Sequence, residues 1–352
     1  METGPQMSVA KPNIALVGEL FVDIVFADLG STPAPGRESF AGSMTVAPGG
    51  IANSAVAMAR LGAQTSLMSG VGEDWFGQWL MLALRREDVD LSSVRDETAT
   101  SVTASLAYGG ERSMVTYSPS KPSLERRPPK RRPDAIVIDL GSPEASGPWW
   151  REAAASGSRV YADTRWDDGE DWPERGLIDL HWCHAFLPNA AEALALTKSG
   201  SVGEALDRLA PKVPIAVVTC GADGAHAIDS VTGERAWAPA LDVSAVDTTG
   251  AGDVFLAAFA VADLDGLPLD HRLAFAALCS GLSTTRPSGS FGAPDIPEIG
   301  EWWASLSSDS STHQPDIAVL DRYAFLDDYL PELQSRTARR DHHRADEQNR
   351  SA

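Results

Sequence analysis

The run Asp247-Thr248-Thr249-Gly250-Ala251-Gly252-Asp253 is followed at once by the apolar stretch Val254-Phe255-Leu256-Ala257-Ala258-Phe259-Ala260. Glycines among small residues lead directly into a helical segment, so unpaired backbone N–H groups and the positive end of a helix dipole converge on one point. A phosphate fits there. Asp253 falls in the first helical turn, where a carboxylate can accept a proton from a hydroxyl attacking phosphorus or simply cap the helix. On this stretch alone the two readings weigh about equally.

Outward from this run the chain alternates strands and helices. Asn13 to Gly18, Gln64 to Gly70, Ala135 to Leu140, Arg159 to Asp163 and Pro214 to Cys220 read as buried strands, with another around Trp182 to Phe186. Helices are expected over Gly49 to Leu61, ended by Gly62, over Trp149 to Ala155, from Pro188 onward, and over Leu273 to Thr285. This rhythm predicts an α/β fold, a three-layer sandwich around a mostly parallel sheet. Two stretches break it: residues 36–47, and residues 99–118 with a tight turn at Gly109-Gly110. They read as a small β lid made of two insertions, or as an edge extension of the main sheet.

Composition limits the function. The 352 residues carry 29 Lys plus Arg against 49 Asp plus Glu, a formal charge of −20. That balance argues against broad binding to nucleic acid or to an anionic membrane. No apolar run reaches membrane-span length, and Met1 to Lys11 lacks a signal-peptide core, so a cytoplasmic protein is expected. Cys183, Cys220 and Cys279 lie too far apart for a zinc motif and read as core thiols. The basic, proline-rich segment 121–133 reads as a solvated linker.

Several residues could carry chemistry. Asp23 follows the first strand, where open α/β sheets bind ligands; it could hold two sugar hydroxyls or cap a turn. Gly49-Gly50 lets backbone approach a ligand, and Asn53 offers both a donor and an acceptor. Asn189 and Glu192 have capping-box spacing, and Glu192 could equally serve Mg²⁺, which needs only one or two carboxylates. Thr219-Cys220-Gly221-Ala222-Asp223-Gly224 closes a strand in a turn. Asp163-Thr164-Arg165 ends another strand, and Arg165 could neutralise a phosphate or an acidic sugar, or pair with Asp163.

Taken together, these motifs resemble the ribokinase-like (PfkB) carbohydrate kinases over residues 12–304. The resemblance implies that Gly250, Ala251 and Gly252 form the anion hole for the transferred phosphoryl group and that Asp253 is the catalytic base. It implies that Asp23, Gly49, Gly50 and Asn53 hold the acceptor sugar. It also implies that Asn189, Thr219, Gly221, Gly224 and Gly289 line the ATP site, that Glu192 holds Mg²⁺ through water, and that a monovalent cation such as K⁺ sits near Asp247 and Thr249. The lid would cover the sugar and could supply a homodimer contact. The chain departs from the family's commonest form in being one residue shorter between Gly50 and Asn53, and Ala277 stands where many members have Asn.

The expected activity is ATP-dependent phosphorylation of a small sugar of the ribokinase, fructokinase or 2-keto-3-deoxygluconate kinase kind. The rivals are a nucleoside kinase of the same fold and a sugar-binding regulator without turnover. The chain lacks a Walker A motif, the protein-kinase elements and a Rossmann glycine fingerprint after its first strand. Residues 305–352 read as a partly disordered extension dispensable for chemistry. Within it Ile317 to Leu333 forms a short docking helix interrupted at Pro331.

Overall fold

The computed structural model describes residues 11–108, 111–119, 129, 131–140, 147–164, 174–286, 289–308 and 317–336. Its strands are β1 (Asn13–Val17), β2 (Leu20–Ala27), β3 (Ser43–Gly50), β4 (Gln64–Met68), β5 (Gly70–Gly72), β6 (Arg95–Glu97), β7 (Ser101–Tyr108) and β8 (Glu111–Tyr117), then β9 (Ala135–Leu140), β10 (Arg159–Thr164), β11 (Ala185–Phe186), β12 (Ile215–Thr219), β13 (Ala225–Asp229) and β14 (Arg235–Ala238). The helices are α1 (Ile51–Arg60), α2 (Trp75–Arg86), α3 (Trp149–Ala155), α4 (Glu174–Asp179), α5 (Ala190–Thr197), α6 (Val202–Leu209), α7 (Ala251–Leu264), α8 (Leu269–Ser283), α9 (Ile296–Ser308) and α10 (Ile317–Tyr323), followed by a helical stretch over 326–336.

Eight strands form the central sheet in the order β14-β13-β12-β11-β10-β9-β1-β4. Every pairing from β12 to β4 is parallel, and β13 and β14 add an antiparallel edge. Strand β1 explains the layering. Ile14 and Leu16 enter one hydrophobic core while Ala15 and Val17 enter the other, because successive side chains of a strand point to opposite faces. The first core takes α1, α7 and α8, and the second takes α3, α5 and α6. Helix α7 is buried from Val254 through Asp263, as its apolar residues on every side require.

The lid is a separate four-stranded sheet, β3-β2-β7-β8, rather than an extension of the central one. Its base is tied to β1 by Glu19, whose Oε1 accepts from the Ser101 and Ser118 hydroxyls at 3.1 and 2.9 Å. Two expectations are corrected here. The first lid segment is Leu20–Ala27 with Ser43–Gly50, and residues 36–42 form no strand. Leu20–Ala27 is rich in β-branched and aromatic residues, yet Asp23 in its middle hides it from a search for apolar strands. Strands β7 and β8 pair from Val102–Tyr117 to Tyr108–Glu111, and the expected turn at 109–110 lies outside the described residues.

Smaller corrections follow from local geometry. Trp182 ends a 3-10 turn, so the strand expected there is only Ala185–Phe186. Pro331 does not interrupt the last helix; the break falls at Ala324-Phe325, and helix resumes over 326–336. Tyr323, Leu326, Tyr329, Leu330 and Leu333 are buried in the first core, and Tyr329 meets Phe275 of α8 edge to face at 5.2 Å. Ser335 and Arg336, expected to be disordered, belong to this helix; residues 337–352 lie outside the described ones. Cys183 and Cys279 are buried, whereas Cys220 is partly exposed. Among the described residues no helix is long and apolar enough to cross a membrane.

Candidate active site

Helix α7 starts at Gly250, whose φ of 76° is the left-handed conformation that favours glycine. A Cβ there would also lie 2.9 Å from Asn53 Cγ, so a side chain is excluded for two reasons. The Val254 N–H donates to the Gly250 carbonyl at 2.9 Å. The N–H groups of Gly252 and Asp253, ahead of it, therefore face out of the helix end, as an anion hole requires. Ala251 is held from behind, since the Ser280 hydroxyl donates to its carbonyl at 2.8 Å.

Asp253 does not act as a cap. Its carboxylate Oδ2 accepts from Asn53 Nδ2 at 2.9 Å, and the Ser54 hydroxyl donates to its backbone carbonyl at 3.2 Å. Burial pushes its carboxyl up to about 6, opposed by the Asn53 hydrogen bond. It is thus ionised at neutral pH and close to the range suited to a base.

Two cavities meet at this helix end. One, of 370 Å³, lies over the carboxyl ends of β1, β9 and β10; Glu19, Phe21, Gly50, Asp139, Asp163 and Asp253 stand on its wall. The other, of 310 Å³, is lined by Thr219, Gly221, Gly224, Ala251 and Gly252 with Ala277 of α8. Its position is set by turns. Gly221 and Gly224 have φ of 56° and 85°, and an isolated bridge from Asn189 to Thr219 brings the start of α5 to the end of β12.

The remaining residues singled out from the sequence fall as follows. Asp23, 4% exposed, packs on Gly49 of the neighbouring lid strand, where a Cβ would run into its carboxylate. It shares a lid face with Phe21, but neither Asp23, Gly49 nor Asn53 is on the cavity wall. Asn189 and Glu192 make a complete capping box: the Asn189 N–H donates to Glu192 Oε2 at 2.8 Å, and the Glu192 N–H to Asn189 Oδ1 at 3.0 Å. Burial, and then the charge of Asp253, raise the Glu192 carboxyl. Asp163 is pushed well up by burial and by Glu192 and Asp253, so these three carboxylates feel one another. The Thr249 N–H donates to Asp247 Oδ1 at 2.9 Å, while Asp247 Oδ2 is buried without a partner. Gly289 lies against Ala47 of β3, away from the second cavity. Arg165 lies outside the described residues.

Sequence reasoning missed Glu19, Phe21 and Asp139. The signal was available for Asp139, which sits near the carboxyl end of a parallel strand, where such sheets bind ligands. Among the described residues no three His, Cys, Asp or Glu side chains come together as a direct metal-binding group.

Comparisons with known proteins show the family and the fold. The model of the pfkB family carbohydrate kinases matches residues 11–296. The chain is 29% identical over 307 residues to a ribokinase of Bacillus subtilis, covering 82% of this chain and 98% of that one. It is 26% identical over 299 residues to a pseudouridine kinase of Escherichia coli, covering 78% and 90%. Its fold matches that of Arabidopsis thaliana ribokinase complexed with ribose and ATP, with TM-score 0.67, 22% identity, and 83% and 98% coverage. With the family model spanning nearly all of the folded chain, the protein belongs to the pfkB family of carbohydrate kinases, phosphotransferases that act on sugar hydroxyls.

Proposed function

We propose that this kinase transfers the γ-phosphoryl group of ATP to a hydroxyl of a small, neutral, polyhydroxylated sugar. One observation carries the reading. A single helical turn serves both cavities, with Asp253 on the wall of one and Ala251 and Gly252 on the wall of the other. An acceptor hydroxyl in the first would lie between the carboxylate and the anion hole. Asp253 takes its proton as its oxygen bonds to phosphorus and the bond to ADP breaks. The N–H groups of α7 stabilise the charge on the moving phosphoryl oxygens.

The described wall of the acceptor cavity holds the carboxylates Glu19, Asp139, Asp163 and Asp253 and no cation. Carboxylates accept hydrogen bonds from hydroxyls and repel a sugar acid, which favours a neutral sugar.

The mutual repulsion of Asp163, Glu192 and Asp253 fits a divalent cation held through water and phosphate. Mg²⁺ bound there would neutralise phosphate charge. The buried, unpartnered Asp247 Oδ2 fits a monovalent cation such as K⁺. The lid face opposite Phe21 and Asp23 exposes Met44, Val115 and Tyr117 and suits a second copy of the chain.

The test is ATP consumption across ketoses, aldoses, sugar acids and nucleosides, with and without Mg²⁺ and K⁺. Turnover with neutral sugars is expected. Turnover confined to sugar acids or nucleosides would overturn the substrate assignment, and ligand binding without any turnover would favour a regulator.

A further inference from the structure

All four strands of the lid return to the body at Glu19. Strand β2 begins one residue after it, and there Leu20 pairs with Gly50, the last residue of β3. The next N–H after β3, that of Ile51, donates to the Glu19 carbonyl at 2.9 Å. Ser101 opens β7 and Ser118 directly follows β8; their hydroxyls lie 3.3 Å apart, and both donate to Glu19 Oε1. The body side of this joint is fixed. The Ser69 hydroxyl, fully buried after β4, donates to the Gly18 carbonyl at 2.7 Å. The Thr100 N–H donates to Asp74 Oδ2 at 2.7 Å, and Thr100 Oγ1 accepts from the Gly72 N–H at 3.0 Å. These contacts set the boundary between body and lid at Gly18–Glu19 and Thr100–Ser101.

Glu19 is buried, and it stands on the wall of the acceptor cavity with Asp253. A buried carboxylate needs donors, and hydrogen bonds to a charged acceptor are stronger than neutral ones. One side chain therefore faces the acceptor and holds the lid. We propose that Glu19 is the positioning residue that seats the lid: through Ser101 and Ser118 its carboxylate links the filling of the acceptor cavity to the set of the β3-β2-β7-β8 sheet. Neither serine is on the cavity wall, so the link can be cut without removing a wall residue. Cutting it leaves Asp253 and the anion-hole turn in place but opens the acceptor cavity to water, which then competes with the sugar. In that side reaction water bonds to phosphorus, the bond to ADP breaks, Asp253 takes the proton and inorganic phosphate leaves.

The kinetic side of this role rests on the sugar-kinase reading above, and the experiment separates the two. It uses the double variant Ser101→Ala/Ser118→Ala, with the compound that wild type turns over fastest as acceptor. Acceptor KM should rise about tenfold or more while KM for ATP stays within about threefold. ADP formed per sugar phosphate, near one-to-one in wild type, should rise about twofold or more as water reaches the phosphoryl group. Ser118→Thr keeps the hydroxyl and should behave as wild type. Thermal melting verifies folding, and if the double variant does not fold, Ser118→Ala at the exposed serine carries the same measurements. Amide hydrogen exchange of the unliganded protein needs no turnover: β7 and β8 should exchange about tenfold faster in the variant, with β1 and β9 at wild-type rates. Wild-type values of acceptor KM, product ratio and lid exchange would overturn the proposal. Equal losses for acceptor and ATP with a lowered melting temperature would also overturn it, by assigning the serines to folding alone. Faster lid exchange in a protein whose wild type turns over no neutral sugar would leave the link standing and defeat the proposed function instead.

Discussion

The Arg336 guanidinium grips both carboxylate oxygens of Asp265, at 2.6 and 2.8 Å, with the two side chains only 2% and 5% exposed. Tyr329 donates to the same carboxylate at 2.7 Å. This fork fastens the C-terminal helix to the end of α7, beyond the segment that the family model matches. Breaking a buried ion pair on one side leaves an uncompensated charge, so Arg336→Ala should cost about 3–5 kcal/mol in urea unfolding. Because the fork is remote from the phosphate turn, kcat of the folded variant should stay within about twofold. An unchanged unfolding midpoint would show that the fork does not hold the tail.

Asp263 anchors a second buried cluster at the other end of α7 from the Gly250 turn. Its carboxylate meets His184 at 2.9 Å, Arg159 at 2.8 Å and Arg272 at 2.5 Å, and Tyr161 also donates to it. Burial pushes its carboxyl up, but His184, Tyr161 and Arg272 outweigh this and hold it at about 2 against an ordinary 3.8. A lowered carboxyl stabilises the fold above its unfolded value and loses that contribution as pH falls from about 4 to 2. The gap corresponds to about 2 kcal/mol. Asp263→Asn should therefore be less stable than wild type at pH 6, with the difference shrinking toward pH 2. A difference independent of pH would contradict this origin.

The fold was largely legible because parallel strands buried on both faces give unbroken apolar runs, as in Ile14 to Val17 and Ile136 to Ile138. The glycine turn into α7 and the Asn189–Glu192 cap were legible because each is made by neighbours in sequence. What stayed hidden depends on distant partners. Strand Leu20–Ala27 was masked by the charged Asp23 in its middle. The hydrogen bond from Asn53 to Asp253 joins residues two hundred positions apart, and nothing in the sequence around either one shows it. Arg336 sits in a charged tail whose composition suggests disorder, and only Asp265 explains why it is ordered.

The nucleotide cavity predicts a tolerant donor site. Ala277, Leu241, Val243 and Phe255 give it an apolar lining. The Ser280 and Thr284 hydroxyls are turned to backbone carbonyls at 2.8 and 2.7 Å. Its described wall holds no amide or charged side chain to read a base edge and so discriminates weakly, and kcat/KM for GTP should fall within about tenfold of that for ATP. A preference of ~10⁴-fold or more would require an amide or charged reader, which the described lining lacks.

Asp23 is held by the lid, paired with Ala47 and Thr103 on the face it shares with Phe21. Under the proposed function it would position the acceptor when the lid lies over it. Asp23→Asn should raise acceptor KM by about tenfold or more, with a smaller change in kcat and in KM for ATP. Equal losses for both substrates would assign Asp23 to lid folding instead.

The central claim is that Asp253 removes the acceptor proton beside the Gly250-Ala251-Gly252 anion hole, and steady-state kinetics of Asp253→Asn tests it most directly. The substitution keeps side-chain size but cannot accept the proton. In a variant shown by thermal melting to be folded, kcat should fall by ~10²-fold or more with ATP affinity little changed. The wild-type kcat/KM should lose activity as pH falls through about 6, where the carboxylate gains its proton. Near-normal turnover in folded Asp253→Asn would contradict the account and reduce the α7 turn to a phosphate-binding element without a base.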